Sequence, residues 1–319
     1  EVKFHNDITG KSGKVSSDLV IATDGATSAV RMEMLKIPRF NFSQEYENYG
    51  YKELTIPPGK DGSFLMEKNA LHIWPRGSFM LIALPNLDGS FTCTLFLAYD
   101  KNLSGDHSLE YLDSEYKVKS FFEKQFPDAC ALMPALLEEY FHNPTGSLMT
   151  VKCFPWIVED KVALLGDACH AIVPFFGQGM NAAFEDCTCL NECINNFSPD
   201  WKTVFTEYEK LRKINSDAIA DLARENFIEM RDLVADKRFQ LKKKIEAELF
   251  KLYPDKFMPK YSMVTFHRIP YSVALSRGKI QEGILHELSE GIRNVSEIDL
   301  NRAGIMINDR LDKLMMKED

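Results

Sequence analysis

Hydrophobic residues recur along this chain with two different periods, and the changes of period divide it into elements. At the start, Val2-Lys3-Phe4-His5 and Gly13-Lys14-Val15 flank the turn-forming Asn6-Asp7-Ile8-Thr9-Gly10, a pattern that predicts a β-hairpin. An apolar strand follows over 18–23. From 37 to 100 the pattern is strand-like: Leu65, then His72-Ile73-Trp74, then 79–84, then 91–96 read as antiparallel strands. Pro85-Asn86-Leu87-Asp88-Gly89 is a hairpin turn signal between the last two. Side chains alternate across a strand, so Met80, Ile82 and Leu84 are expected on one face. Over 109–141 the spacing becomes helical, anchored by Leu112, Val118, Phe121, Phe122, Phe126 and Leu132. Strands return at 149–154 and 161–165. Helical spacing resumes over 200–251 and again over 280–315, where Ile284, Leu288, Ile292, Val295 and Ile298 recur. The charged stretch 237–251, with Lys242-Lys243-Lys244, reads as a solvated helix face.

Composition narrows the picture only a little. The 319 residues can bury a large core across two domains, and 45% hydrophobic with 27% charged residues is ordinary globular usage. A net charge of −9 argues against general nucleic-acid binding. No apolar run approaches the roughly 20 residues that a spanning helix needs. The seven cysteines, Cys93, Cys130, Cys153, Cys169, Cys187, Cys189 and Cys193, are irregularly spaced without a CxxC. They read as buried thiols of a reducing compartment and not as a metal site.

Candidate chemistry concentrates in one run, Leu164-Leu165-Gly166-Asp167 through Pro174-Phe175-Phe176-Gly177-Gln178-Gly179-Met180-Asn181. An apolar strand reaches Asp167, and a Gly-Gln-Gly turn opens a helix that continues as Ala182-Ala183-Phe184-Glu185-Asp186. Such a helix start offers unpaired N–H groups and the positive end of the helix dipole, which suits an anionic or electron-rich ring. Glycines let backbone approach that ring closely. Asp167 can accept hydrogen bonds from a sugar-like hydroxyl chain. The plainer roles are a helix cap for Asp167, a turn residue for Asp24, a core pair for Phe175 and Phe176, and a structural His170. A second strand, Asp18-Leu19-Val20-Ile21-Ala22-Thr23, ends in Asp24-Gly25 and leads to Arg31.

In this order the two runs resemble the flavin-binding motifs of the FAD-dependent aromatic hydroxylases. Tyr51-Lys52-Glu53-Leu54-Thr55-Ile56, Leu71-His72-Ile73-Trp74-Pro75-Arg76, Phe79 to Asn86, Phe91 to Phe96, Asn226-Phe227-Ile228-Glu229-Met230 and Tyr261 to Phe266 are similar to the fungal-like kynurenine-hydroxylating branch of that family. The resemblance covers residues 15–270. It implies a mixed α/β (α+β) fold: a partial Rossmann-like FAD-binding domain from 1–36 and 151–199, an antiparallel-sheet substrate domain over 37–150, and C-terminal helices over 200–319. It assigns Asp24, Gly25, Gly166, Asp167, Pro174, Gly177, Gln178, Gly179, Met180 and Asn181 to FAD. It assigns Tyr51, Leu71, Met80, Ile82, Leu84, Thr94, Phe96, Pro174, Phe175, Phe176, Asn226, Glu229, Met230 and Tyr261 to the substrate.

The reaction so implied is hydroxylation of L-kynurenine. NADPH reduces FAD, O₂ adds at flavin C4a, and the hydroperoxide delivers OH to the ring. The chemistry is borne by the flavin, so no catalytic side chain and no metal are expected. Arg31 and Arg76 are not expected to hold the substrate carboxylate. The family's opening GxGxxG unit, and the Arg and Tyr that hold that carboxylate, are expected upstream of Glu1 in an N-terminal part that completes the FAD site. The family also implies the cytosolic face of the mitochondrial outer membrane, reached through a C-terminal segment not seen in Leu314-Met315-Met316-Lys317-Glu318-Asp319. Two other readings are a sibling hydroxylase of another aromatic acid and a non-catalytic flavin-fold binding module. The intact Gly177–Asn181 turn counts against the second.

Overall fold

The computed structural model describes residues 1–233 and 236–314. The last residues, 315–319, on which the reading of the chain's end partly rests, lie outside them, as do 234 and 235 within the helical stretch 200–251. In chain order the elements are β1 (Val2–Asn6), β2 (Lys11–Val15), β3 (Val20–Ala22), α1 (Ala29–Met34), β4 (Asn41–Ile56), β5 (His72–Pro75), β6 (Met80–Pro85) and β7 (Phe91–Ala98). Then come α2 (Lys101–Ser104), α3 (Glu115–Gln125), α4 (Pro127–Cys130), α5 (Leu136–His142), β8 (Gly146–Phe154), β9 (Ile157–Val158), β10 (Val162–Leu164) and α6 (Asp167–His170). The remainder is helical: α7 (Gly179–Phe197), α8 (Trp201–Ile228), α9 (Lys237–Leu252), α10 (Lys260–Thr265), α11 (Tyr271–Ser289) and α12 (Leu300–Arg310).

The chain divides into two compact units. The first comprises Glu1–Glu45, Thr150–Leu222 and Pro270–Leu275; the second comprises Tyr46–Met149, Ala223–Ile269 and Ser276–Asp319. This differs from the three segments expected: the C-terminal helices form no separate body, and α8 begins in the first unit and ends in the second.

In the first unit, β10 pairs with β3 in parallel and with β9 antiparallel. A parallel pair needs cover on its faces, and β10 reads as unbroken apolar sequence for that reason. Ala163 and Leu164 are fully buried among Trp156, Phe205 and Tyr208. β1 and β2 form the expected hairpin, paired Val2 to Val15.

A sheet of order β5-β6-β7-β4-β8 belongs for the most part to the second unit, the start of β4 and the end of β8 being assigned to the first. Leu54 and Ile56 of β4, Leu81 and Ala83 of β6, and Phe91, Cys93, Leu95 and Leu97 of β7 point to one side, where Phe121, Phe122 and Phe126 complete a core. Leu65 lies in no strand. It sits in a connection between β4 and β5 whose backbone bonds close locally, Gly59 N–H to Ser63 O at 2.8 Å and Gly62 N–H to Gly59 O at 2.9 Å. A second core joins Ile245 and Leu249 of α9 to Ile284, Leu285 and Leu288 of α11 and to Met306 and Ile307 of α12. Thus the charged 237–251 stretch is solvated on one side only. No helix among the described residues is long and apolar enough to cross a membrane.

Candidate functional site

Two strand ends lie side by side in the first unit. β3 and β10 pair Ala22 with Leu164 in parallel, and the Leu165 N–H donates to Ala22 O at 2.9 Å. Asp24-Gly25 and Gly166-Asp167 therefore leave the sheet at its carboxyl end, the end where open parallel sheets bind ligands.

The two acids at these ends differ. Asp24 braces the start of α1, whose cap is Ser28: its carboxylate accepts from Ser28 Oγ at 2.6 Å and from the Val30 N–H at 3.1 Å. Partial burial pushes its carboxyl up, but these hydrogen bonds outweigh burial and hold it below the usual carboxylate range. Its oxygens thus have a structural task, the turn role considered from sequence. Asp167 does not cap. It is the first residue of α6, Gly166 stands in the cap position, and no side chain caps that helix. Asp167 is exposed, with no hydrogen bond or ion pair among the described residues. Arg31 is buried; its guanidinium donates to Ala168 O at 2.6 Å and lies 5.0 Å over the Phe42 ring. It ties α1 to α6 and holds no acid.

The run 174–181 folds as a cradle. Pro174–Phe176 make one 3₁₀ turn, with Phe175 and Phe176 buried and Pro174 exposed. Gly177 then reverses the chain at φ +64, a left-handed conformation that costs glycine nothing. α7 starts at Gly179 with no side-chain cap, so its first N–H groups lack helical partners. The Gln178 side chain is buried, and its Oε1 accepts from Tyr271 Oη at 3.0 Å and Asn181 Nδ2 at 3.1 Å. Met180 and Asn181 are exposed.

These residues fit a flavin. An uncapped helix start offers N–H groups and partial positive charge to an electron-rich ring edge. A Cβ at Gly25 or Gly177 would meet no atom within 4 Å, so open space lies over both turns. The exposed Asp167 can receive hydroxyl donors.

Beneath the cradle, Cys169, His170 and Asp186 bring ligand-type atoms within 4.8 Å of one another. Their bonding is already committed. Asp186 accepts from His170 Nε2 at 2.5 Å, Arg212 Nε at 2.7 Å and the Gly166 N–H at 3.1 Å. The Cys169 thiol donates to Gly166 O at 3.2 Å, and burial pushes it well above the usual thiol range. His170 also packs on Trp156, ring centroids 5.2 Å apart. The three side chains thus form an internal hydrogen-bonded network.

In the second unit the strand register gathers the expected wall. Met80 pairs with Phe96 and Phe96 with Tyr51; Ile82 pairs with Thr94. Leu84 continues the same face, opposite to the face that carries Leu81 and Ala83 into the core. Burial falls along it, from Met80 and Phe96, both nearly closed, to Leu84 at 45% exposure. Leu71 precedes β5 and is 40% exposed. Glu53, opposite Thr94, adds a carboxylate to this face that the sequence pattern did not single out.

Asn226 is buried near the end of α8, and its Nδ2 contacts Met230 Sδ at 3.4 Å. From Glu229 to Leu233 the helix widens to π geometry, a feature frequent at functional sites. Glu229 pairs through Oε1 with Lys243 at 3.0 Å. Arg231 lies between the rings of Tyr49 and Phe227, at 5.0 and 4.9 Å, and chelates Asp232. Tyr261 is 42% exposed, with its ring 6.0 Å from that of Phe266. Asp186, Arg212, Tyr271 and Arg231 carry no local motif, so sequence reading did not assign them.

Comparison with known proteins agrees with this geometry. The FAD binding domain family matches residues 154–198, which include the whole cradle. Kynurenine 3-monooxygenase of Myxococcus xanthus is 50% identical over 311 residues, 98% of this chain and 66% of that protein. Kynurenine 3-monooxygenase of Dictyostelium discoideum is 48% identical over 313 residues, 94% of this chain and 67% of that protein. The chain thus spans about two-thirds of the length of these curated relatives. Among solved structures, Klebsiella pneumoniae HpxO complexed with FAD and uric acid shares the fold at 18% identity and a TM-score of 0.55, over 92% of this chain and 62% of that one. On this identity and coverage, the chain belongs to the kynurenine 3-monooxygenase family.

Proposed function

We propose that the intact protein hydroxylates L-kynurenine at the ring carbon beside its amino group, using FAD, NADPH and O₂. The observation that carries this is the single sheet face that collects Tyr51, Met80, Ile82, Thr94 and Phe96 in a chain that also holds a flavin cradle. When bound, FAD supplies the hydride acceptance and oxygen transfer that no side chain provides. The chain's own task is to bind, orient and keep dry. Asp167 takes hydroxyl groups of the flavin's sugar-like chain. The first N–H groups of α7 favour the negative charge of a reduced ring. The wall in the second unit accepts an aromatic ring, and the Asn226 amide is the polar group assigned to an amino-acid head group. Glu229, held by Lys243, contributes charge and position. Placement at the mitochondrial outer membrane is proposed with the family and is tested by fractionating the intact protein.

The test is NADPH consumption by the intact protein with and without L-kynurenine, with products followed by mass. We expect a kynurenine-dependent rate and a product heavier by one oxygen. Asn226→Ala should raise KM about tenfold or more, the effect of losing a hydrogen bond to a charged group. Fast NADPH oxidation without an oxygenated product would reject kynurenine as the substrate and favour another aromatic acid.

A further inference from the structure

Every polar atom on Asp186 is spoken for, although this residue has no solvent contact at all. A buried carboxylate persists only where donors replace water. Here the donors come from three places: His170 on α6, Arg212 on α8, and the backbone of Gly166 at the end of β10. Arg212 does more than pair with it. Its other nitrogens donate to Ala182 O at 3.1 Å and Glu185 Oε2 at 2.8 Å, both in the first two turns of α7. One ion pair therefore grips the strand-end turn and the helix start together.

The turn needs such a grip. Gly166 has φ 63 and ψ −140, a conformation essentially reserved for glycine, and glycine is also the residue with most freedom to leave it. The Asp186 oxygen on its N–H is the tertiary contact that holds that conformation. The next residue is Asp167, exposed and unengaged.

We propose that Asp186, clamped by His170 and Arg212, is a positioning residue for FAD: it fixes the Gly166 turn so that Asp167 and the uncapped start of α7 form one rigid cradle. This rests on the reading of that cradle as the flavin site. Asp186 touches no ligand itself; it acts through the Gly166 backbone.

The experiment measures FAD affinity of the intact protein by flavin fluorescence, at a temperature where circular dichroism shows each variant folded. Asp186→Ala should weaken FAD about 10- to 100-fold, the range for a lost hydrogen bond to a charged group. Asp186→Asn keeps an oxygen for the Gly166 N–H but turns its NH2 toward the Arg212 Nε–H, so it should recover only part of that loss. Asp186→Ala and Gly166→Ala should be non-additive in FAD affinity, because both act on one turn. A folded Asp186→Ala protein that binds FAD like wild type overturns the proposal. Asp167→Ala is the control for the cradle reading: if it too leaves affinity unchanged, the flavin assignment of this turn fails; if it alone weakens FAD, only the positioning role fails. Should Asp186→Ala not fold, hydrogen exchange on the unmutated protein decides. The Gly166 amide should be strongly protected even without FAD, and exchange at the rate of loop amides would overturn the proposal.

Discussion

At the scale of single residues, the candidate wall depends on one missing methyl group. A Cβ on Gly146 would stand 2.1 Å from Cζ of Tyr51, far inside contact distance. Tyr51 thus occupies space that only glycine leaves, and this sets where its ring lies beside Phe96, 6.1 Å away. Gly146→Ala should lower stability by about 1–3 kcal/mol, the usual cost of overpacking, in urea denaturation. It should also weaken binding of an aromatic substrate, since the ring must move. In a Tyr51→Ala background, Gly146→Ala should cost little further stability; additive losses would mean that the clash is relieved elsewhere. Sequence could place Tyr51 by resemblance, but Gly146 lies 95 residues on and announces nothing, because its requirement comes from a neighbour and not from its own backbone angle.

Elements show which parts of this fold are written locally. The cradle was legible because each step is a local demand: an apolar strand, a glycine at φ +64, an uncapped helix start. β6 was legible by alternation, with Leu81 and Ala83 inward and Met80, Ile82 and Leu84 on the other face. The full extent of β4 was not, since Gln44, Glu45, Glu47 and Asn48 interrupt any apolar pattern there. Nor was the π turn at Glu229–Leu233, which the α-helical spacing of Asn226, Glu229 and Met230 conceals. The Asp186 network joins residues 16 and 26 positions apart, and Tyr271 reaches Gln178 across 93. Such pairings are tertiary and leave no period in the sequence.

The network joining α6, α7 and α8 also has a pH signature. Burial pushes the Asp186 carboxyl up, but the hydrogen bond and charge of His170 and the Arg212 guanidinium outweigh it, and the folded value lies below the ordinary one. Glu185, Cys169, Tyr208 and Tyr271 are the ionisable groups around this pair. An acid lowered on folding stabilises the fold above its unfolded pKa, and that contribution disappears as pH falls through the folded value. The stability gap between wild type and Asp186→Asn should therefore be full at neutral pH and shrink from about pH 5 downward. Thermal melts across that range measure it, and a gap that stayed constant to strong acid would mean that the charge of Asp186 is not what stabilises the fold.

For the molecule as a whole, the division into two units decides what a bound cofactor can stabilise. Asp24, Gly25, Gly166, Asp167 and the 174–181 cradle all belong to the first unit. So do Trp156 and Trp201, whereas Trp74 belongs to the second. Trp156 is fully buried, donates Nε1–H to Cys153 O at 2.9 Å and packs on His170 below the cradle. Its fluorescence in a protein with every other tryptophan, Trp74 and Trp201 included, replaced by Phe therefore reports unfolding of the flavin unit. A ligand that binds only the folded state stabilises it by RT ln(1 + [L]/Kd), about 2.7 kcal/mol at a hundredfold excess over Kd. FAD at that excess should move the Trp156 transition to higher urea by this amount in the intact protein, and Asp167→Ala should require proportionally more FAD for the same shift. A Trp156 transition indifferent to FAD would separate the cradle from the flavin, because no folded-state ligand can bind this unit without raising its stability.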